Sequence, residues 1–508
     1  TDGGIGLYGT GTFCFEKPLA LTGPMKVFDG RLCVRASQLS DDTKKPFGTG
    51  DMILRNAWIV HYPSDLFKSE VCTIDFPGAL EFGGSSAIST RYGENYLCQN
   101  YTAGSLRRAG KGAVLHVNCP TGSLGTESTI KFDTALENNA SGVTKLPILA
   151  GVATLEGFTT YDATDGLKEF ADYSDDTLDG GATSIASLSA NQTVNSDKQV
   201  YGVRFTEAGK SITVNSGKTL TVGNGTDPAI IIFNNTCAVY GPGTLNFGGS
   251  EGIFWANNTI GTLPHTVGAV LSGSGGVSYG APALQHYEYK YLITKANTYT
   301  GGTYINGCAV WPDHADAFSS GDVYVGSGER HGGKVVFKRA LTFANNFHVG
   351  GLGFASIVRN RQYTNVVSGV FSFEEDATVS GNVELTETLG VTRMGVRDGK
   401  TGTISGIVSG DKLQLYNPDG YFSGKLALTG ANTYTGGTEI VAATMAIRNE
   451  NALGTGEVVI DGGTLEFCNT EAMTLTNDLS GIGTVRFAGG NGVNFTGNTE
   501  DFSASLEL

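Results

Sequence analysis

An internal repeat constrains the fold of this chain more than any other feature of its sequence. The segment Ala-Asn-Thr-Tyr-Thr-Gly-Gly-Thr occupies residues 296–303 and recurs unchanged at 431–438, an offset of 431 − 296 = 135. The hydrophobic pattern of residues 317–325 then matches that of 452–460 without a gap. Self-similarity of this kind is typical of repeat architectures, in which each unit buries its apolar face against its neighbours.

A third, weaker copy lies near the beginning of the chain. Residues 47–54 parallel 453–460 but lack the eight-residue core. The predicted repeat-like units lie at about residues 7–62, 268–350 and 404–487. A more degenerate stretch with the same pattern of short strands and turns covers about residues 183–260. We predict that all of these belong to one continuous domain over residues 1–508, because no proline-rich linker or shift in composition separates them.

The segments between these copies have the pattern of short β-strands. Runs such as Ser211–Val214 and Thr219–Val222 alternate apolar and polar residues and are separated by Gly, Asn, Asp or Ser. The chain contains 74 glycines in 508 residues, and only 16% of its residues are charged. This composition indicates an all-β protein without a helix of convincing length, although residues 167–171 are compatible with one helical turn.

Two all-β architectures accommodate many short strands, a sandwich and a solenoid. A sandwich predicts separate units of about 100 residues, whereas the strand-turn pattern here continues through most of the chain. We therefore predict a parallel β-helix with coils of roughly 20 to 25 residues. Glycine and asparagine are frequent because the corners of such coils need positive φ angles.

The eight cysteines are too few to form the framework of the fold. Cys14 and Cys33 lie 33 − 14 = 19 residues apart, and Cys98 and Cys119 lie 119 − 98 = 21 apart. Each separation is close to one coil, which predicts neighbouring positions in adjacent coils. Two interpretations stay open, namely disulfides in an oxidising compartment and buried thiols packed as small apolar side chains.

The charge balance excludes one class of partner. The formal net charge is −15, and an acidic surface repels phosphate backbones, so we expect no nucleic-acid partner. No window approaches 18 consecutive apolar residues, which excludes a membrane-spanning helix by sequence. The first residue is Thr1 and no charged-then-apolar leader follows, so we expect that any export signal has been removed.

Residues 428–438, followed by Gly-Thr-Gly at 454–456 and Gly-Gly-Thr-Leu at 462–465, resemble the passenger-associated transport repeat of bacterial autotransporter passenger domains. The lead-in at 271–277 resembles the strand-opening turn of that family. Residues 201–249 are similar to the degenerate β-helix that usually precedes such a repeat.

This resemblance implies a secreted, right-handed parallel β-helix, exported through an outer-membrane β-barrel and displayed on the bacterial cell surface. Family members serve mostly as adhesins or structural stalks, and a minority carry enzymatic domains. The repeat is thought to assist translocation and folding. We expect the export barrel and the signal peptide to be missing from residues 1–508.

Two polar segments qualify as candidate sites. An acidic stretch holds seven carboxylates: Asp162, Asp165, Glu169, Asp172, Asp175, Asp176 and Asp179. The interpretations are a solvated loop, which we favour, a calcium site, and a glycoside hydrolase pair. The second segment, Trp311–Asp316, places a histidine between two acids, but the other repeat copy has no such trio, so we favour an inter-strand loop.

A cluster of aromatic residues precedes the first copy of the eight-residue core. If residues 286–291 form a strand, Tyr287, Tyr289 and Tyr291 share one face because side chains alternate. An exposed tyrosine row binds glycans or proteins, but we favour a ladder packed inside the fold, together with Tyr279. No catalytic, cofactor-binding or metal-binding residue is predicted, and no cofactor is expected.

The function predicted from these observations is structural. We expect a secreted or surface-displayed protein that acts in adhesion, aggregation or extracellular filament formation. Its expected partners are further copies of itself, or glycans and proteins of a host or other surface. The alternative is a polysaccharide lyase or glycoside hydrolase built on a β-helix, which would require a groove lined by carboxylates or by Lys and Arg.

Overall fold

The structure is a computed structural model. It describes residues 3–8, 12–15, 19–28, 30–35, 45–62, 72–90, 99–119, 123–134, 148–154, 157–257, 263–282, 289–326, 333–351, 369–387, 390–417 and 421–508. Throughout these ranges the chain is all-β and contains no helix, so none is available there to cross a membrane. The chain divides into two compact units, Thr1–Gln285 and His286–Leu508. A single continuous β-helix over the whole chain stays a prediction.

The first unit begins with two six-stranded sheets, each made of alternate strands of the chain. One sheet consists of β1 (Ile5–Tyr8), β3 (Met25–Phe28), β5 (Met52–Arg55), β7 (Cys72–Gly83), β9 (Gln99–Arg108) and β11 (Ile130–Phe132). The other consists of β2 (Thr12–Cys14), β4 (Arg31–Arg35), β6 (Trp58–Tyr62), β8 (Ser85–Ser89), β10 (Val114–Asn118) and β12 (Val152–Ala153). Every pairing within these two sheets is parallel.

One hairpin interrupts this arrangement and corrects a prediction. β13 (Thr159–Asp162) pairs antiparallel with β14 (Gly166–Glu169). The helical turn with which residues 167–171 are compatible is not formed, because Leu167 is buried and pairs across the hairpin with Tyr161. A single buried contact on a two-stranded turn outweighs the weak helical preference of so short a segment.

The rest of the first unit is a series of strands stacked in parallel. They are β15 (Ser174–Asp175), β16 (Gly181–Leu188), β17 (Gln192–Val194), β18 (Lys198–Phe205), β19 (Ser211–Val214), β20 (Thr219–Val222), β21 (Ala229–Asn234), β22 (Ala238–Asn246), β23 (Gly252–Asn257), β24 (His265–Ser272) and β25 (Val277–Gly280). Ile230, for example, lies opposite Ile253, and both are buried.

The second unit has the same stacked organisation. Its strands are β26 (Lys290–Ile293), β27 (Thr303–Asn306), β28 (Ala309–Pro312), β29 (Val323–Val325), β30 (Lys334–Phe337), β31 (Thr342–Phe343), β32 (Phe347–Val349), β33 (Phe371–Phe373), β34 (Thr378–Val379), β35 (Val383–Leu385), β36 (Thr392–Ile404), β37 (Val408–Gly410), β38 (Leu413–Tyr416), β39 (Ser423–Leu428), β40 (Thr438–Val441), β41 (Thr444–Ile447), β42 (Val458–Phe467), β43 (Met473–Leu475), β44 (Leu479–Phe487), β45 (Val493–Phe495) and β46 (Phe502–Glu507).

A column of buried apolar side chains runs through the second unit. Successive members lie directly opposite one another on paired parallel strands, and all are buried: Tyr291, Val310, Val335, Phe371, Met394, Leu415, Ile440 and Ile460. Because parallel strands in register place like positions about 4.8 Å apart, each side chain packs on the next. Hydrophobic burial at about 25 cal/mol per Å² of apolar surface makes this column a main source of stability.

The spacing between paired strands varies more than the sequence predicts. Thr438 pairs with Val458, 458 − 438 = 20 residues further on. Phe347 pairs with Val383, 383 − 347 = 36 residues further on. The uniform coil of 20 to 25 residues therefore applies only to part of the unit. Phe347 pairs in register with both Val323 and Val383, so the longer spacing does not shift the strands.

The two repeat copies have the same local structure. β27 and β40 begin at residues 303 and 438, β28 and β41 at 309 and 444, and β29 and β42 at 323 and 458. Each of these three differences equals the sequence offset of 135. The eight-residue core precedes β27 in one copy and β40 in the other, where it forms a turn of defined hydrogen bonding.

Buried polar contacts explain the residues of that core. Tyr434 is buried, and its hydroxyl lies 2.6 Å from the hydroxyl of Thr438. The side-chain amide of Asn432 donates to the carbonyl of Ala452 at 2.6 Å, while its oxygen accepts from the N–H of Val408 at 2.8 Å. Gly437 has a φ of 89°, which a side chain would disfavour. Buried polar groups must be hydrogen-bonded, and here their hydrogen bonds connect the segment to neighbouring parts of the chain.

A buried carboxylate connects the early sheets of the first unit to its later strands. Glu251, which is 5% exposed, lies just before β23. Its two oxygens accept from Arg108 Nη2 at 2.7 Å, from the N–H of Gly112 at 2.6 Å and from the Ser278 hydroxyl at 2.5 Å. A buried charge with three donors is well compensated, and loss of the carboxylate would leave the Arg108 guanidinium without this partner.

Candidate functional site

The acidic stretch forms turns and local ion pairs. The Asp162 carboxylate accepts the N–H groups of Thr164 and Asp165, and these hydrogen bonds hold its pKa below the usual value. The Asp176 carboxylate accepts from the Ser189 hydroxyl at 2.7 Å, which likewise lowers its pKa. Within the described residues no group of three or more His, Cys, Asp or Glu side chains is placed to hold a metal ion. Asp162, Asp165 and Glu169 thus lie on the hairpin, whereas the other four carboxylates follow it, with Asp175 on β15.

The side chains of the segment Trp311–Asp316 also contact nearby residues. Asp313 forms an ion pair with Arg339. His314 Nδ1 accepts the N–H of Asp316 at 3.0 Å, which is a turn contact. The indole of Trp311 lies under Lys338, whose Nζ is 3.9 Å from the ring centroid. His314 Nδ1 also lies 3.8 Å from the Asp316 carboxylate, so the ionisable groups of this segment contact one another or Arg339.

The predicted tyrosine row is internal where it can be described. Tyr279, Tyr289 and Tyr291 are fully buried, which confirms the interpretation as a packed ladder for these three. Tyr287 and His286 lie outside the described residues. Burial against neighbouring strands offers a tyrosine ring far more contact area than an exposed strand face.

The cysteine spacing is confirmed for one pair. Cys14 and Cys33 lie directly opposite each other on β2 and β4. Cys14 carries a free thiol, so no disulfide joins this pair. Cys98 lies outside the described residues, and the pairing proposed for it cannot be placed. Cys237 and Cys308 are buried thiols, and burial raises the pKa of each.

A half-buried, outward-facing aromatic column, which the sequence analysis missed, consists of Tyr304, Tyr324 and His348. They occupy the middle of β27, β29 and β32 and lie opposite one another in register. The Tyr304 and Tyr324 rings stack at 4.9 Å between centroids, and the Tyr324 and His348 rings at 4.6 Å. His348 Nδ1 contacts the Glu384 carboxylate at 2.5 Å. The sequence held part of this signal, because Tyr324 and His348 are each flanked on both sides by buried apolar residues. Tyr304 lies between the buried residues Thr303 and Ile305.

A second outward-facing feature lies further along the same unit. It is a cavity of about 450 Å³ on the outer face of β36, β39, β41 and β42, which we call the alanine groove. Its lining residues are Thr401, Thr403, Lys425, Ala427, Thr429, Ala446, Arg448 and Cys468. Ala427 and Ala446 lie opposite each other in register, and their methyl groups leave the depression. Ligand pockets commonly have volumes of about 300–1,000 Å³.

A buried carboxylate sets the position of the lysine beside the groove. Glu466 is 3% exposed and forms ion pairs with Lys425 and, at 3.2 Å, with Arg486. Cys468 Sγ donates to Glu466 Oε1 at 3.1 Å. Burial raises the pKa of Glu466, but the hydrogen bonds from Lys425, Cys468 and Arg486 outweigh it, so the net pKa lies below its ordinary value. The carboxylate is thus charged and directs the Lys425 side chain.

Part of this chain is similar to a class of bacterial surface proteins, the autotransporter adhesins. The relative is the adhesin BmaC autotransporter of Brucella suis biovar 1 (strain 1330), which is 37% identical over 122 residues. The match covers 22% of this chain and 3% of the relative's own length. No family model and no solved structure matches the chain. The similarity supports an autotransporter-like relationship for the matched part.

Proposed function

We propose that this chain is a segment of an adhesin-type surface protein that acts in adhesion through its outward-facing side chains. The observation that carries this proposal is the 37% identity to part of an autotransporter adhesin. The residues support it, because the aromatic column and the alanine groove both lie on outer strand faces while the apolar column lies inside. Aggregation and filament formation belong to the same proposal.

The proposed scaffold is a right-handed parallel β-helix in each unit. Strands pair in parallel with strands about one coil away, and the inner side chains stack in columns, as such a helix requires. Parallel connections within one sheet are right-handed in about 98% of cases, which supports the proposed hand.

The proposed location is extracellular, at the bacterial cell surface, with export through an outer-membrane β-barrel. Proposed partners are host or surface glycans and proteins, and further copies of this chain. No contact described above favours the alternative of a polysaccharide lyase or glycoside hydrolase, since the acidic stretch is engaged in turns.

Adhesion can be tested with the purified chain. Beads coated with the folded protein are expected to bind epithelial monolayers or immobilised matrix and glycans several-fold more than beads coated with albumin. Beads coated with the same protein after thermal unfolding provide the matched control, because composition and charge are unchanged. Equal binding by folded, unfolded and albumin-coated beads on every surface would contradict the proposal.

A further inference from the structure

We propose that the alanine groove binds an acidic saccharide, that is, a pyranose chain carrying carboxylate or sulfate groups. This inference rests on the proposed adhesin function and names a ligand class for one of its surfaces. The groove consists of a small apolar floor, hydroxyl groups beside it, and two cations at its sides.

The floor suits the C–H face of a sugar ring. Ala427 and Ala446 are directly opposite on β39 and β41, and their neighbours in the same row are Thr403 and Glu466. A longer side chain at either alanine would fill the space. Pockets for small ligands combine apolar walls with a few polar groups that fix orientation, and this groove has that composition.

The hydroxyl groups are available to a ligand. Thr401, Thr403 and Thr429 are each half-buried and line the groove. Among the described residues, none of these three hydroxyls donates to a protein acceptor. Each hydroxyl offers one donor and two acceptor lone pairs, which matches the hydroxyl-rich rim of a sugar.

The two cations select for negative charge. Lys425 is held by Glu466, whereas no carboxylate of the described residues lies within ion-pair distance of the exposed Arg448. Lys425 lies opposite Thr444, four residues before Arg448, so strand geometry separates their backbone positions by about 14 Å. A ligand with charges along its length can therefore contact both side chains at once.

The net charge of the chain further restricts the class of acidic ligand that the groove can bind. The chain as a whole carries a net charge of −15, which repels long, densely charged polyanions such as nucleic acid. A saccharide brings widely spaced charges together with apolar ring faces and hydroxyls. It is the acidic ligand class that uses the floor, the hydroxyls and the cations together.

The test is calorimetric titration of the full chain with oligosaccharides of matched length. Chondroitin sulfate fragments, unsulfated hyaluronan fragments and neutral maltooligosaccharides form the three arms. Binding of either acidic class, with no binding of the neutral class, is the expected result, and the two acidic arms distinguish sulfate from carboxylate. Charge-assisted contacts predict that Arg448→Gln weakens binding by about tenfold.

Two further variants separate the site from nonspecific charge. Ala427→Glu fills the groove and places a negative charge between its two cations, so binding should be abolished. Arg339→Gln removes an exposed arginine of the same unit that does not line the groove, so binding should be unchanged. Circular dichroism confirms that each variant is folded.

The outcomes distinguish this inference from the adhesin proposal. If the wild-type chain binds no acidic oligosaccharide, or if Arg448→Gln and Ala427→Glu bind as well as wild type, the groove proposal is overturned, even where coated beads still adhere. If acidic oligosaccharides bind as expected but coated beads adhere to no surface, the groove proposal stands and the adhesin proposal falls.

Discussion

At the scale of single residues, buried histidines are the most consequential titratable groups. His116 is 1% exposed and packs 6.4 Å from the Trp255 ring, and within the described residues neither of its ring nitrogens has a hydrogen-bond partner. Burial lowers the pKa of His116 to about 3. Burial likewise lowers the pKa of His265 to about 4. Both imidazoles are therefore neutral in the folded protein at neutral pH.

We predict that acid destabilises the first unit through His116. Its folded pKa lies below the unfolded value of about 6.5, so the unfolded chain takes up the proton first. The contribution of the neutral His116 to the free energy of unfolding is fully present above pH 6.5. It is lost as the pH drops towards 3, by about 1.4 kcal/mol per pH unit for one such group. Urea unfolding of His116→Phe between pH 7 and 4.5 should show a flatter dependence than wild type.

The control for this prediction is an exposed histidine. His314 has a side chain that is 42% exposed, so His314→Gln should retain the wild-type pH dependence. The same steep loss of stability in His116→Phe as in wild type would show that other groups, such as the hydrogen-bonded Asp162 and Asp176, dominate acid unfolding.

At the scale of elements, the turn before each repeat strand depends on one glycine. Gly437 has a φ of 89°, and a Cβ there would lie 2.6 Å from the Glu457 carbonyl oxygen. Gly437→Ala should therefore lower the free energy of unfolding by more than about 2 kcal/mol, since backbone strain and a clash add. Gly462 is a matched control: its φ is 65°, but a Cβ there meets no atom within 4 Å.

Denaturant unfolding of the two glycine variants separates these contributions. Gly462→Ala carries only the backbone cost of a left-handed conformation, about 1–2 kcal/mol. Gly437→Ala should lower the free energy of unfolding by more than this backbone cost. Equal destabilisation by both substitutions would mean that the turn relaxes away from the Glu457 carbonyl and that the close contact is unimportant.

The junction around Glu251 is also an element-scale feature, because it joins β9 and the turn after it to β25. Glu251→Ala leaves Arg108 without its buried partner and should lower stability by about 3–5 kcal/mol. Glu251→Gln keeps an acceptor for the N–H of Gly112 and should lower the free energy of unfolding by less than Glu251→Ala does. Limited proteolysis should cut the early sheets of Glu251→Ala faster than those of Glu207→Ala, a substitution at an exposed glutamate. Identical digestion of the two alanine variants would contradict this role.

At the scale of the whole molecule, net charge governs association. The sequence pI is about 4.9 and the formal net charge at pH 7 is −15. If the chain self-associates as proposed, sedimentation velocity should show larger species at pH 5 than at pH 7, because the net charge is smaller near the pI. It should also show larger species at high salt than at low salt, because salt screens the repulsion between chains. Monomers only, at high concentration under all four conditions, would contradict self-association.

The all-β class and its strand-turn texture could be predicted from local sequence, because alternation and glycine-rich turns depend only on neighbouring residues. The burial of Tyr289 and Tyr291 was also correctly favoured on those grounds. The hairpin at residues 159–169 was not predicted, because a short apolar segment fits either a helical turn or a strand until its partner is known.

The outward-facing surfaces depended on tertiary structure for a different reason. Tyr304, Tyr324 and His348 are separated by 20 and 24 residues, and the spacing between other paired strands reaches 36. Because the number of residues between paired strands varies while the pairing stays in register, no fixed sequence period shows which side chains become neighbours. The sequence therefore specified which residues face inward or outward along each strand, whereas only the pairing of distant strands assembled the aromatic column and the alanine groove.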